Sequence, residues 1–227
     1  MNELSQRALP EFSAATHRNH DPMMPAVPLV PGLRCQDHAT FVAAAADERA
    51  FREYWAARGL YAMAPIVPER FPARHIAFSA TPEMTVLCQD MVGLSVSDDP
   101  ASPVNRLVAL YGGYRVDAGG EVAVGRIQHF AFAVDGEYDM ADIRAALTLR
   151  GVRFMTPILT FEDSDGAYLQ QMFVACKVPF GPFVEIIKRG VGRGGEPFHG
   201  FNAEQIDTLY QHYDAYSRML ASGVDDA

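Results

Sequence analysis

The chain repeats itself. Residues 36–66 read QDHATFVAAAADERAFREYWAARGLYAMAPI, and residues 127–158 read IQHFAFAVDGEYDMADIRAALTLRGVRFMTPI. In each copy a histidine sits early in a short apolar run, a helix-like stretch follows, and an Arg-Gly turn leads into M-x-P-I, so His38 matches His129. A fixed internal period of this kind marks a duplicated supersecondary unit. The second copy continues to PFVEIIKR, where Glu185 interrupts an otherwise apolar strand. Two histidines and one carboxylate on strands of one duplicated sheet match the donor set of a facial metal triad.

Hydrophobic spacing assigns the elements. In the first copy a strand is expected over residues 38–42, then a helix over 47–58 with Phe51, Tyr54, Trp55 and Arg58 at helical spacing and Gly59 as its stop. Strands are expected near 61–67, 74–79 and 84–89. The second copy predicts a strand over 128–134, a helix over 140–150 ending at Gly151, and strands near 153–155, 168–176 and 182–188. The order is βαβββ twice, which gives an α+β chain whose paired modules form a curved mixed sheet. Between the copies, residues 97–113 read as a turn, a short helix and a glycine stop. After the second copy come the loop RGVGRGGEPFHG and a C-terminal helix that Asn202 caps, with Gln205 three residues on. The expected organisation is a Pro-rich arm (1–32), a two-module domain (33–190, with modules 36–90 and 127–188 and a linker 91–126), and a glycine-rich loop with a lid helix (191–227). The loop itself reads as a hinge, because no Lys-Ser/Thr follows the glycines as a phosphate loop requires.

Composition narrows the function. A net charge of −9 with no Lys/Arg cluster argues against nucleic acid or an anionic membrane surface and leaves a small molecule as the expected partner. Cys35, Cys88 and Cys176 are far apart and odd in number, so they read as reduced thiols of a cytoplasmic protein. No apolar run approaches the roughly 20 residues of a membrane span. The arm carries Pro10, Pro22, Pro25, Pro28 and Pro31 and is expected to lie along its own domain or along a neighbouring subunit of a homodimer. Its His17 and His20 read as solvated.

Each proposed ligand also has a plain reading. Glu185 is flanked by Phe183, Val184, Ile186 and Ile187, so burial requires a metal or an arginine to balance its charge. His129 is either a ligand or a core histidine bonded to a backbone carbonyl. His38 competes with His75, whose RHIAF run could also open a module. The shared R-G-x-x-x-M-x-P-I ending favours His38 and puts His75 at a strand end near the surface.

Several motifs together resemble one family. They are Asp37-His38, ALYGG at 109–113, Gln128-His129-Phe130-Ala131, DSDGAYLQQMF at 163–173, FVEIIKR at 183–189 and FHGFN at 198–202. Over about residues 36–215 the chain resembles the catalytic half of the 4-hydroxyphenylpyruvate dioxygenase family, within the vicinal-oxygen-chelate superfamily. The resemblance implies a non-haem Fe(II) centre held by His38, His129 and Glu185, at which a small 2-oxo acid, aromatic ones included, chelates the iron and reacts with molecular oxygen. It also implies a substrate-facing, catalytic Gln171, and Phe198 and Phe201 as pocket walls that exclude water; on the residues alone Gln171 reads equally as a strand amide paired with a neighbouring backbone, and the two phenylalanines as anchors that dock the C-terminal helix to the sheet. The sequence departs from that family at Ser97-Asp98-Asp99-Pro100, where L-N-E-P is usual, and lacks the additional amino-terminal half and a longer insertion in the second module. Two other classes remain open: a divalent-metal isomerase, epimerase or lyase on the same scaffold, and a protein that sequesters a ligand without turnover.

Overall fold

The computed structural model describes residues 23–34, 37–79, 91–111, 126–198 and 201–223. The first module holds β1 (His38–Ala44), α1 (Glu48–Ala56), β2 (Tyr61–Ala62), β3 (Arg74–Ser79) and β4 (Met91–Ser97). Helix α2 (Pro103–Tyr111) follows, and then the second module with β5 (Arg126–Ala133), α3 (Met140–Thr148), β6 (Leu159–Glu162), β7 (Tyr168–Val174) and β8 (Phe183–Arg189). Helix α4 (Ala203–Ala221) closes the chain.

The eight strands form one curved sheet in the order β2-β3-β4-β1-β5-β8-β7-β6. The two halves of that order are the two modules: β1 pairs in parallel with β4 and β5 with β8, while β1 and β5 meet antiparallel at the seam. The duplication read from sequence is therefore a duplication of topology. At matching places α1 and α3 are followed by Gly59 at φ +81° and Gly151 at φ +83°, a left-handed stop that glycine adopts without a Cβ clash.

Alternation along the strands divides the core into two layers. On the outer face Phe41, Phe78, Leu94 and Val96 pack with Phe51 and Trp55 of α1, and Val184, Ile186 and Met172 pack with Ile143 and Leu147 of α3. The inner, concave face carries Val42, Phe173 and Phe183, which pack under Ile206, Tyr210 and Tyr213 of α4 and Val104 and Leu107 of α2. The Asn202 capping box is complete: its side chain accepts from Gln205 N, and Gln205 Oε1 accepts from Asn202 N. That reciprocal pair starts α4 at the mouth of the concave face.

Some expectations are corrected. The strand expected over 84–89 lies outside the described residues, and the first module's last strand is Met91–Ser97, in the stretch taken as linker. Residues 153–155 form only an isolated bridge at Phe154, and the ladder strand is Leu159–Glu162. The strand near 61–67 shortens to two residues plus a bridge at Ile66. The glycine-rich loop is tied down rather than hinge-like: Arg193 donates to the carbonyls of Ser164 and Asp165, and Gly194 N donates to Asp165 Oδ2. From Met23 onward the Pro-rich segment lies along the chain's own outer layer, where Val30 and Leu33 are buried. His17, His20, Cys35, Cys88 and His199 fall outside the described residues, and Cys176 is a buried free thiol. No described helix is long and apolar enough to cross a membrane.

Candidate metal centre

The register of three adjacent strands brings the predicted ligands together. His38 stands opposite Ala131, and Ala131 stands opposite Glu185, so one row across β1, β5 and β8 puts a histidine and a carboxylate on either side of a small residue. His129 lies two residues from Ala131 on the same inner face. His38 Nε2 is 3.2 Å from His129 Nε2 and 3.3 Å from Glu185 Oε2, and His129 Nε2 is 3.4 Å from the same oxygen. All three side chains are buried, at 1, 2 and 2 % exposure. Among the described residues this is the group of histidine, cysteine and carboxylate side chains with the spacing of a metal site.

Neighbouring groups set the tautomers. His38 Nδ1 lies 2.8 Å from Asp37 Oδ1, and Asp37 is itself paired with the buried Arg189, whose Nη2 is 3.2 Å away. Burial opposes ionisation of Asp37, but Arg189 and His38 outweigh it and hold the carboxyl at about 2. The acceptor is thus charged, and His38 keeps its proton on Nδ1. His129 Nδ1 lies 3.3 Å from Gln128 Oε1, an acceptor only, so this ring also carries its proton on Nδ1. The plane of His129 is fixed by stacking on Phe183, with centroids 4.9 Å apart.

Two Nε2 lone pairs and a carboxylate oxygen then converge on one point. Such an arrangement is repulsive unless a cation lies among them. Donor atoms about 2.1 Å from an ion at right angles to one another are about 3.0 Å apart, and about 3.4 Å apart at tetrahedral angles; the observed separations fit. A second proton on His38 answers the same need. Burial works against the imidazolium, but hydrogen bonds and charges from Asp37 and Glu185 raise His38 to about 9. His129 is pushed well below its ordinary value by burial and by the His38 charge. Glu185 Oε1 has no hydrogen-bond partner, an orphaned acceptor that a divalent ion would satisfy. The donor set is therefore that of a transition-metal ion with open positions.

A narrow cleft adjoins the triad, walled by Thr40, His75, Ser95, Gln128, Gln171 and Glu185 on the sheet and by Phe201, Gln205, Ile206 and Leu209 at and within α4. Four buried polar atoms on this wall lack a partner among the described residues: Thr40 Oγ1, Gln171 Oε1, Glu185 Oε1 and Gln205 Nε2. Polar atoms left in that condition cost stability, and their gathering at one place offers a polar ligand several hydrogen bonds. Phe201 packs edge-on against His38 with centroids 5.1 Å apart. Of its two readings, Phe198 takes the anchor: it is buried with Ala131, Leu169 and Ile187, and its carbonyl accepts from Arg189.

His75 is not the surface histidine that its strand-end position implies. It is buried at 8 % exposure, its Nδ1 is 2.9 Å from Ser95 Oγ, and burial together with the His38 charge lowers it to about 4. It lines the cleft without joining the triad.

Sequence reasoning missed Thr40, Ser95, Gln128 and Gln205. Gln128 precedes His129, and strict alternation would send it to the other face. The ladder slips there, with Thr40 opposite His129 but Phe41 opposite Ile127, so Gln128 is the extra residue of a β-bulge and shares the inner face with His129. Gln205 was legible only as a cap, although the same side chain turns its amide nitrogen to the cleft.

No protein-family model and no curated protein sequence matches the chain. Solved structures do. A triple mutant of 4-hydroxymandelate synthase from Streptomyces coelicolor superposes with a TM-score of 0.60 at 19 % identity, covering 83 % of this chain and 55 % of the other. A xylose isomerase-like TIM barrel/4-hydroxyphenylpyruvate dioxygenase fusion protein gives a TM-score of 0.55 at 19 % identity, covering 82 % of this chain and 30 % of the other. A methylmalonyl-CoA epimerase is also similar, with a TM-score of 0.49, 18 % identity and coverage of 70 % and 98 %. The chain spans about half the length of the synthase and less of the fusion protein. The fold is the vicinal-oxygen-chelate fold, built of paired βαβββ modules.

Proposed function

We propose that the chain is an Fe(II)-dependent dioxygenase of a small 2-oxo acid, with His38, His129 and Glu185 as the metal ligands. The observation that carries this reading is the meeting of two imidazole Nε2 atoms and one carboxylate oxygen within 3.4 Å of one another beside an orphan-lined cleft. A set of two histidines and one carboxylate, with no fourth protein donor among the described residues, favours oxygen chemistry over the isomerase alternative. When bound, Fe(II) supplies a Lewis acid for the two oxygens of a 2-oxo acid and a redox centre for oxygen activation.

The chain's own residues do the rest. Asp37 and Gln128 hold protons on the outer nitrogens of the two histidines, which keeps both Nε2 lone pairs directed inward. Gln171 Oε1 offers an acceptor and Gln205 Nε2 a donor to the polar atoms of the substrate. Phe201, Ile206 and Leu209 cover the cleft and exclude water.

Protein loaded with Fe(II) under anaerobic conditions should retain about one iron per chain, and oxygen uptake on mixing with a 2-oxo acid should match the carbon dioxide released. Turnover without oxygen on Ni, Mn or Zn would contradict this reading in favour of an isomerase, epimerase or lyase. Tight ligand binding with no turnover would point to a sequestering protein.

A further inference from the structure

Strand β8 turns Glu185, Ile187 and Arg189 to one face, at the two-residue period of a strand. Glu185 joins the triad, and Arg189 lies four residues further on, about 13 Å along the strand. At that distance its guanidinium takes no part in coordination. It is nevertheless buried, with 7 % of its side chain exposed, and its contacts run in two directions.

Towards the triad, Arg189 Nε donates to Asp37 Oδ2 at 3.4 Å and Nη2 donates to Asp37 Oδ1 at 3.2 Å. Asp37 Oδ1 also accepts the Nδ1 proton of His38, 2.8 Å away. Towards the cover of the cleft, Arg189 Nη1 donates to the Phe198 carbonyl at 3.1 Å, and the guanidinium carbon lies 5.4 Å from the centre of the Phe201 ring. That ring is the one that packs edge-on against His38. The contacts therefore close a circuit from His38 through Asp37, Arg189 and Phe201 back to His38.

Such a circuit needs a planar fork of donors. A guanidinium holds a carboxylate along one edge while it donates to a carbonyl from another, at angles fixed by its plane, whereas an ammonium is a point donor on a flexible stem. Asp37, gripped on both oxygens, cannot swing away from His38, and the plane of that imidazole is fixed in turn. Phe201 immediately precedes Asn202, the cap of α4, so the same guanidinium bears on where the covering helix begins.

We propose that Arg189 is a positioning residue that aligns two parts of the site at once: His38, through Asp37, and the cover formed by Phe201 and the first turn of α4. The inference rests on the metal centre of the proposed function and adds the residue that keeps that centre and its cover in one register. A cation kept only to neutralise Asp37 would have no use for the contacts to Phe198 and Phe201.

Two substitutions separate the two tasks. Arg189→Lys keeps a cation beside Asp37 but cannot reach the Phe198 carbonyl at the same time, and Arg189→Met removes both contacts. Each protein is titrated anaerobically with Fe(II) alone, and hydrogen exchange at the Gln205 and Ile206 amides is followed in the iron-loaded protein without substrate. Fe(II) affinity should fall roughly 10- to 100-fold in Arg189→Met and stay near native in Arg189→Lys, while the two amides should exchange roughly tenfold faster in both variants. Arg189→Gln takes the place of Arg189→Met if the latter does not fold. Native Fe(II) affinity in every variant, or unchanged exchange at the start of α4, overturns the proposal and leaves the metal centre standing. Equal loss of affinity in both variants, with faster exchange throughout the sheet, also overturns it, since Arg189 would then only stabilise the fold. If the native protein binds no Fe(II), the metal reading of the triad falls, and this inference with it.

Discussion

At the scale of residues, Asp37 connects the proposed metal centre to the rest of the protein. It fixes the His38 tautomer and neutralises Arg189, which in turn donates to the Phe198 carbonyl ahead of α4. Asp37→Asn should weaken metal binding roughly 10- to 100-fold, the usual effect of losing the group that orients a ligand, as measured by anaerobic metal titration; unchanged affinity would remove Asp37 from the site. The metal-free protein should also respond to pH in a definite direction. His38 is raised from 6.5 to about 9, so its stabilising contribution is complete below pH 6.5 and is lost as pH rises through about 9. Asp37 works in the opposite sense: it is lowered from 3.8 to about 2, so its contribution is present above pH 3.8 and is lost as pH falls through about 2. The urea midpoint of metal-free protein should therefore fall between pH 6.5 and 9.5, and a flat profile would mean that His38 is not held as the imidazolium.

At the scale of elements, α4 closes the concave face, and its capping box sets where it begins. Asn202→Ala should cost about 1 kcal/mol of stability and raise KM more than it lowers kcat, because Gln205, Ile206 and Leu209 shift with the first turn; a change in kcat alone would argue against a covering role for α4. Strand β4 makes a second demand. Gly93→Ala would drive a methyl group between Thr40 and His75, with an expected loss of about 1–3 kcal/mol, checked by chemical denaturation. What sequence made legible follows from what repeats. The twin copies fixed the topology because a period shared by His38 and His129, and by Gly59 and Gly151, survives any uncertainty in the individual strands. Glu185 stood out because a carboxylate buried among Val184, Ile186 and Ile187 needs a metal or an arginine to balance it. The cleft wall was not legible: Gln128 depends on a bulge that breaks alternation, Gln205 was accounted for by its cap, and His75, two strands from β1, depends on an absent side chain at Gly93. Phe198 stayed open between wall and anchor, because a phenylalanine beside a glycine loop serves equally well as either.

At the scale of the whole molecule, the site belongs to neither module alone. His38 comes from the first module, and His129 and Glu185 come from the second, across the antiparallel β1–β5 seam. A bound ion would tie the copies together, so metal should raise Tm in the native protein. At an ion concentration a hundred times Kd the linkage contributes about 2.7 kcal/mol, or roughly 5–10 °C for a chain of this length; a scan without such a shift would mean that the modules do not share an ion. The most direct test is the stoichiometry of tight Fe(II) binding under anaerobic conditions, compared between the native protein and folded Glu185→Ala. The account predicts about one ion per native chain and none in the variant. Iron held equally well by both would contradict it.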